Sequence, residues 1–330
     1  MNLSEIYQPI ADDLNTVEDL LKDCLAESTD PSISAMSSLL LESPGKRIRP
    51  ALVILSERAA SAGRKRTCND GRLVEIATAM ELIHMASLVH DDVLDKATMR
   101  HTIPTINVEY GDDMSIILGD YVYSKAFQLM ANCRNPDIFM CMSEAIGMMC
   151  EGELIHVCHR GNLDLSTTSY IAIAKKKTAS LFAACCHAGT ITGNHSQVIQ
   201  EALKEFGLNF GVAFQIIDDC KDVLSEESEL GKHPGQDMIA GDITLPILTL
   251  LEVVGPAEKE ELRSMLGAGN DNKNLERLRT MLMHSNALSK INETIASYLN
   301  TAKKCLESLS DSVYKESLNR LTDYTAERAY

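Results

Sequence analysis

The chain has 330 residues, of which 45% are hydrophobic, and its 31 lysines and arginines stand against 47 aspartates and glutamates for a net charge of −16. That balance disfavours nucleic acid as a partner, because a polyanion calls for a basic surface. The ten cysteines are scattered with no Cys-x-x-Cys pair, so zinc and disulfide-framework readings are weak and reduced thiols in a cytoplasmic protein are expected.

Nothing resembles a signal peptide, and no charge-free run supplies the roughly 20 apolar residues of a membrane span. No Gly/Ser/Pro-rich linker divides the chain, so a single helical domain over residues 1–330 is expected. Along Ser4 to Leu25, Ile6, Ile10, Leu14, Val17, Leu21 and Cys24 recur at spacings of three or four. That is the stripe of an amphipathic helix, whose partner is the core or another subunit. Thr29-Asp30-Pro31-Ser32 punctuates the chain, and a short helix is expected over Ala35 to Leu41.

Ser43 to Arg47 is a turn leading to Arg49-Pro50. Pro50 fits the first turn of a helix that continues from Ala51 to Ala62. Lys46, Arg47 and Arg49 therefore crowd a helix N-terminus, which favours anions. A solvated basic turn has the same composition, and these residues alone do not separate the two. Arg64-Lys65-Arg66 reads as solvated surface.

The stretch Leu73 to Arg100 is apolar around the whole helical wheel, as in a buried core helix of about 25 residues. One polar stripe runs down it: His84, Ser87, Asp91 and Asp95, at spacings of three, four and four. Like charges four apart cost about 0.2–0.5 kcal/mol even in water. A hard cation such as Mg2+ offsets that, since it takes one or two carboxylates, waters and a substrate phosphate. A solvated helix end is the alternative at this point.

Asp112 to Ala131 and Ile138 to Val157 read as helices, the second a Met- and Cys-rich core element. Its Glu151, Glu153, His156 and His159 share no clean face, which argues against a metal there. Tyr170 to Thr192 is helical by pattern and contains Lys175-Lys176-Lys177-Thr178. The apolar run from Ala179 to Cys186 implies that one of these lysines points inward; Cys185-Cys186 reads as small core residues.

Phe206 to Leu224 repeats the device of the first aspartate helix. It is apolar until Asp218, Asp219 and Asp222, and Gly211, Gln215, Asp218 and Asp222 share one face. Two such helices facing each other suit a di- or trinuclear Mg2+ cluster around a diphosphate. Glu229 to Gly241 has three glycines and a proline and reads as a loop. The helices beyond Pro246, including Ala257 to Leu266 and Leu275 to Met283, carry no evident chemistry.

Asp91-Asp92-Val93-Leu94-Asp95 and Asp218-Asp219-Cys220-Lys221-Asp222, with the Gly45 to Pro50 segment upstream and Ala174 to Ala179 between, resemble the trans-prenyl diphosphate synthases. The likeness runs from about Gly45 to Pro246, in the family's motif order, and points to the medium- and long-chain type. It implies an all-α bundle around a deep central cavity, usually a homodimer. It also implies head-to-tail condensation of isopentenyl diphosphate with an allylic diphosphate.

By the resemblance, two or three Mg2+ ions are held by Asp91, Asp95 and Asp218, with Asp92 and Asp222 in support. Lys46, Arg49, His84 and position 101 hold isopentenyl diphosphate. Arg100, Lys177 and Lys232 hold the allylic diphosphate, and the oxygens of Thr178 and Gln215 face the allylic cation. Three residues depart from the family pattern: His101 for an arginine, Thr102 for a glycine, and Asp242 for the lysine of Gly-Lys-x-Thr-x-Pro. Histidine lacks the guanidinium's fork and carries partial charge near neutral pH.

Farnesyl-length members place aromatic side chains four and five residues before the first aspartate. Here those positions are Ser87 and Ala86, with aliphatic Ile83 and flexible Met80 further back. By the resemblance, the absence of such plugs implies a product of about C30 to C50, of the kind used for quinone side chains. Three other readings remain: a non-catalytic subunit of a heteromeric synthase, a C15 to C20 synthase, and a class I terpene cyclase. The last ordinarily carries a single aspartate motif.

Overall fold

A computed structural model gives the fold. It describes residues 2–26, 28, 30–42, 45–62, 70–100, 103–225, 234–267 and 272–328. The N-terminal stripe forms α1 (Leu3–Tyr7), a 3-10 turn (Gln8–Ile10) and α2 (Ala11–Ala26), not one continuous helix. Pro9 lacks an N–H and its ring crowds the preceding turn, which accounts for the break. The stripe still buries Ile6, Ile10, Val17 and Leu21 fully, so its partner is this chain's own core.

Next come α3 (Pro31–Glu42), α4 (Ile48–Ala60) and α5 (Asp70–Leu94). α5 is uninterrupted because it lacks proline and its one glycine, Gly71, lies in the first turn. Leu73, Ile76, Ala77, Met80, Ile83 and Ala86 on it are fully buried. Between Gly71 and Leu94, α5 is long and apolar enough by length and composition to cross a membrane, but it is not charge-free and most of that segment is buried inside this bundle.

A short antiparallel pair, β1 (Met99–Arg100) and β2 (Ile103–Pro104), turns the chain after the first aspartates. Then follow α6 (Ile106–Tyr110), α7 (Asp112–Cys133), α8 (Pro136–Cys158) and α9 (Thr167–Ala174). A π-helical segment, Lys175–Ala179, joins α9 directly to α10 (Ser180–Thr192), which leads to α11 (Gln197–Leu224). The rest of the chain is α12 (Gln236–Ala240), α13 (Leu245–Val253), α14 (Pro256–Gly267), α15 (Asn272–His284), α16 (Ala287–Cys305) and α17 (Val313–Glu327).

α10 is the axis of the bundle. α4, α5, α8 and α11 all pack on it, and nearly every side chain from Ser180 to Thr190 is buried. Close approach is secured by Gly189, where a Cβ would stand 2.2 Å from the Val53 carbonyl oxygen of α4. α7, α5, α10 and α8 lie side by side in that order, while α7 and α8 scarcely meet. α7 and α8 therefore flank the α5–α10 pair with little contact between themselves.

Candidate active site

At the C-terminal end of α5, Asp91 is largely buried, and burial pushes its carboxyl up to about 6. Lys177 pulls it down, while Glu153 and Asp95 add to the rise. Asp95 lies one residue past the helix, its N–H still donating to Asp91 O at 2.9 Å. Asp92 points elsewhere: it takes Arg100 in two bonds, Nη2 to Oδ1 at 2.6 Å and Nε to Oδ2 at 3.1 Å. Burial opposes the Arg100 charge, but Asp92, Asp91 and Asp218 outweigh it and keep the guanidinium firmly charged. The charges of both aspartate motifs thus act on one arginine.

Lys177 is the lysine that turns inward. Its Nζ meets Glu153 Oε2 at 2.6 Å and His156 Nδ1 at 3.2 Å. Burial opposes its charge, and Asp91, Glu153 and Asp95 reverse that effect. Lys175 stays exposed, and Lys176 pairs with Glu151. The π segment inserts an extra residue per turn, which rotates the lysines relative to α9, and such bulges are frequent at functional sites. α8 crosses it closely: a Cβ on Gly152 would stand 2.4 Å from the Lys177 nitrogen.

Thr178 Oγ1 donates to Gln215 Oε1 at 2.6 Å, and Gln215 Nε2 donates to Asp219 Oδ1 at 2.6 Å. The Tyr170 hydroxyl donates to the other Asp219 oxygen. The two residues expected beside the allylic cation are therefore brought together and fixed by the middle aspartate of the second motif. Burial pushes Asp219 up, with Tyr170 and Gln215 working against it. Asp222 turns away from the mouth: its Oδ2 accepts from Asp237 N at 3.0 Å and its carbonyl from Gly235 N at 2.8 Å, anchoring α12.

A second basin lies at the start of α4. Arg49 is half-buried, stacks 4.6 Å from the Phe182 ring centroid, and its solvent-excluded Nε has no hydrogen-bond partner among the described residues. Burial weakens its charge, while Glu81 supports it. Burial, Arg328 and Lys221 together push Lys46 down to about 8, with Asp218 opposing. Burial and then Arg49, Arg100 and Arg47 hold His84 well below the usual imidazole range. Cations crowded against each other in this way are relieved by an anion. Arg47 does not join them. Its φ of 52° turns it inward, and it pairs with Glu18 and with buried Glu81.

His101, Thr102 and Lys232, expected at the site, lie outside the described residues, as do residues Arg64 to Arg66. Arg160, Tyr170, Lys221 and Arg328 join the site without having been marked for it in the sequence, and Glu153 and His156, set aside there as a metal group, join it beside Lys177. The inward lysine hinted only at Glu153, since a buried ammonium demands an acidic neighbour.

Among the described residues, no group of three or more His, Cys, Asp or Glu side chains stands ready to enclose an ion unaided. Mg2+ takes few carboxylates and completes its shell with water and phosphate. The oxygen-only donors Asp91, Asp95 and Asp218 are of the right chemistry, and the raised Asp91 carboxyl is what a dication would relieve. A separate groove of about 830 Å3 between α9, α13 and α16 contains none of these residues.

The profile of a family described as polyprenyl synthetase matches residues 30–283. A protein of Synechocystis described as a prenyl transferase is 32% identical over 330 residues, covering 100% of both chains. Component 2 of a heptaprenyl diphosphate synthase from Bacillus subtilis is 31% identical, over 100% of this chain and 92% of its own. The crystal structure of a polyprenyl synthase from Caulobacter crescentus, complexed with calcium and isoprenyl diphosphate, superposes with a TM-score of 0.93. That protein is 30% identical, over 100% of this chain and 98% of its own.

Proposed function

The chain belongs to the polyprenyl synthetase family, and we propose that it condenses isopentenyl diphosphate head-to-tail with an allylic diphosphate to give an all-trans product of about C30 to C50. It is a trans-polyprenyl diphosphate synthase. The observation that carries the reading is that Arg100 and, at the start of α4, Lys46 and Arg49 all feel the charge of Asp218, which draws the second aspartate motif and both groups of cations into one site.

In this reading Asp91, Asp95 and Asp218 hold two or three Mg2+ ions. Bound there, the metal neutralises the allylic diphosphate and eases its departure. Arg100, oriented by Asp92, and Lys177, oriented by Glu153, grip the same leaving group. Thr178, locked by Gln215, turns its oxygen towards the allylic carbon. Lys46, Arg49 and His84 hold isopentenyl diphosphate so that its double bond lies in line for attack. The released diphosphate takes the proton. That the Caulobacter protein was crystallised with calcium and isoprenyl diphosphate supports a divalent cation and a prenyl diphosphate as ligands here.

The product would grow along α5 from the aspartates towards the helix N-terminus, past Ala86 and Ser87. Ser87 is half-buried and turns its hydroxyl to the His84 carbonyl, while Ala86 is fully packed; the reading rests on the small size of both side chains. α7 and α8 expose Ile117, Phe127, Phe139, Met140 and Leu154. An apolar face of this kind is best covered by protein, and a second copy of this chain is its proposed occupant. The Bacillus relative is named as one component of a synthase, which keeps a heteromeric partner as the second reading.

Incubation of the purified protein with Mg2+, farnesyl diphosphate and isopentenyl diphosphate tests the proposal. Chain extension supports it, a hydrocarbon product identifies a cyclase, and absence of turnover identifies a subunit that needs its partner.

A further inference from the structure

Arg160 lies in the turn after α8 and ties the first aspartate motif to the segment behind the second. Its guanidinium is committed at three points. Nη2 donates to Asp95 Oδ1, Nη1 to the Leu94 carbonyl at 3.3 Å, and Nε to Asp242 Oδ1 at 2.9 Å. The turn is pinned as well, with Gly161 N donating to Gly241 O at 2.8 Å. Asp242 is 6% exposed. It also faces His156 Nε2 at 3.2 Å, and so joins the Glu153 and Lys177 cluster.

Asp95 needs such a partner. It sits at the C-terminus of α5, where the helix dipole disfavours an anion, and four residues from the like-charged Asp91. Arg160 answers both problems at once, by capping a terminal carbonyl and by bonding the carboxylate. It takes Oδ1 only; among the described residues Oδ2 has no hydrogen-bond partner. A planar guanidinium spans two carboxylates and a carbonyl in one fork, a geometry that an ammonium does not reproduce.

We propose that Arg160, held in place by Asp242, is a positioning residue for the first metal site: it fixes the Asp95 carboxylate so that Oδ2 faces the ion. The inference rests on the prenyl synthase reading. It also gives Asp242 a part in the site, as the group that aims an arginine. Groups that hydrogen-bond a metal ligand characteristically govern affinity by about 10- to 100-fold.

The test uses Arg160→Gln, Arg160→Lys and Asp242→Asn in the full chain. Mn2+ binding in the presence of inorganic diphosphate is followed by electron paramagnetic resonance, beside the Mg2+ dependence of condensation. Arg160→Gln and Asp242→Asn are expected to weaken Mn2+ binding about 10- to 100-fold and to raise half-saturating Mg2+ alike. At saturating Mg2+, kcat should recover to within a few-fold, and Arg160→Lys should restore binding only in part. Lower thermal stability with unchanged Mn2+ affinity overturns the proposal. If Arg160→Gln does not fold, Asp242→Asn decides. If the wild-type protein performs no condensation, the functional reading fails, while the Mn2+ measurement still decides the role of Arg160.

Discussion

Arg100 and Asp92 form a two-point ion pair, 2.6 Å and 3.1 Å, that spends both oxygens of the second aspartate on one guanidinium. Asp92 is thereby turned from the metal to the arginine. Asp92→Asn should raise the KM for the allylic diphosphate about 10-fold or more, as hydrogen bonds to charged groups are worth about 1.5–3 kcal/mol. Its Mg2+ requirement should move far less than that of Asp91→Ala. Equal shifts in the two variants would place Asp92 on the ion.

Asp91→Ala and Asp218→Ala each remove a carboxylate from the mouth and nothing from the apolar core. Steady-state condensation at saturating Mg2+ should fall at least about 100-fold, with circular dichroism unchanged. A near-wild-type rate in either variant refutes the assignment of metal ligands.

His156 links Asp242 to Glu153. Burial opposes its charge, but Asp242, 3.2 Å from Nε2, and the Glu153 carboxylate, 3.6 Å from Nδ1, win and push it up to about 9. His156 and Lys177 in turn overcome burial and hold Glu153 down to about 2. A folded pKa above the unfolded value of about 6.5 gives stability that is complete below that value and lost as pH rises through about 9. The melting temperature should therefore drop between about pH 6.5 and 9, and His156→Gln should flatten that drop. A slope identical in wild type and variant would mean that His156 is not the group responsible.

Ala86 lies one turn before the first aspartates and is fully buried. A phenylalanine there cannot be displaced without strain. Ala86→Phe should shorten the product to about C15 to C20 while leaving the aspartate chemistry intact. Chromatography showing an unchanged distribution would remove this position from the tunnel wall, and a wild-type product ending at C15 would refute the long-chain proposal.

What the sequence determined by itself was local. An uninterrupted apolar run fixed α5 and α11 as buried helices, and a spacing of four put Asp91 beside Asp95 on one face, because helical period is a property of the chain alone. The same logic required one lysine of the Lys175–Lys177 run to point inward. Periodicity could not choose Lys177, which only the family resemblance named, since the choice depends on a π turn that packs beneath Gly152 of α8.

Tertiary structure decided the pairings. Arg160 meets Asp242 across 82 residues and Asp95 across 65, and Tyr170 meets Asp219 across 49. No local pattern announces such contacts. Each partner is an ordinary polar residue until folding removes water and leaves one group able to satisfy it. Arg47 and Arg49 show the limit most plainly. Two residues apart in one basic turn, they part because Arg47 adopts a left-handed backbone and meets Glu18 and Glu81, while Arg49 is carried by α4 onto Phe182. Composition made both arginines equal candidates for the anion site, and the burial of Glu81 claimed one of them.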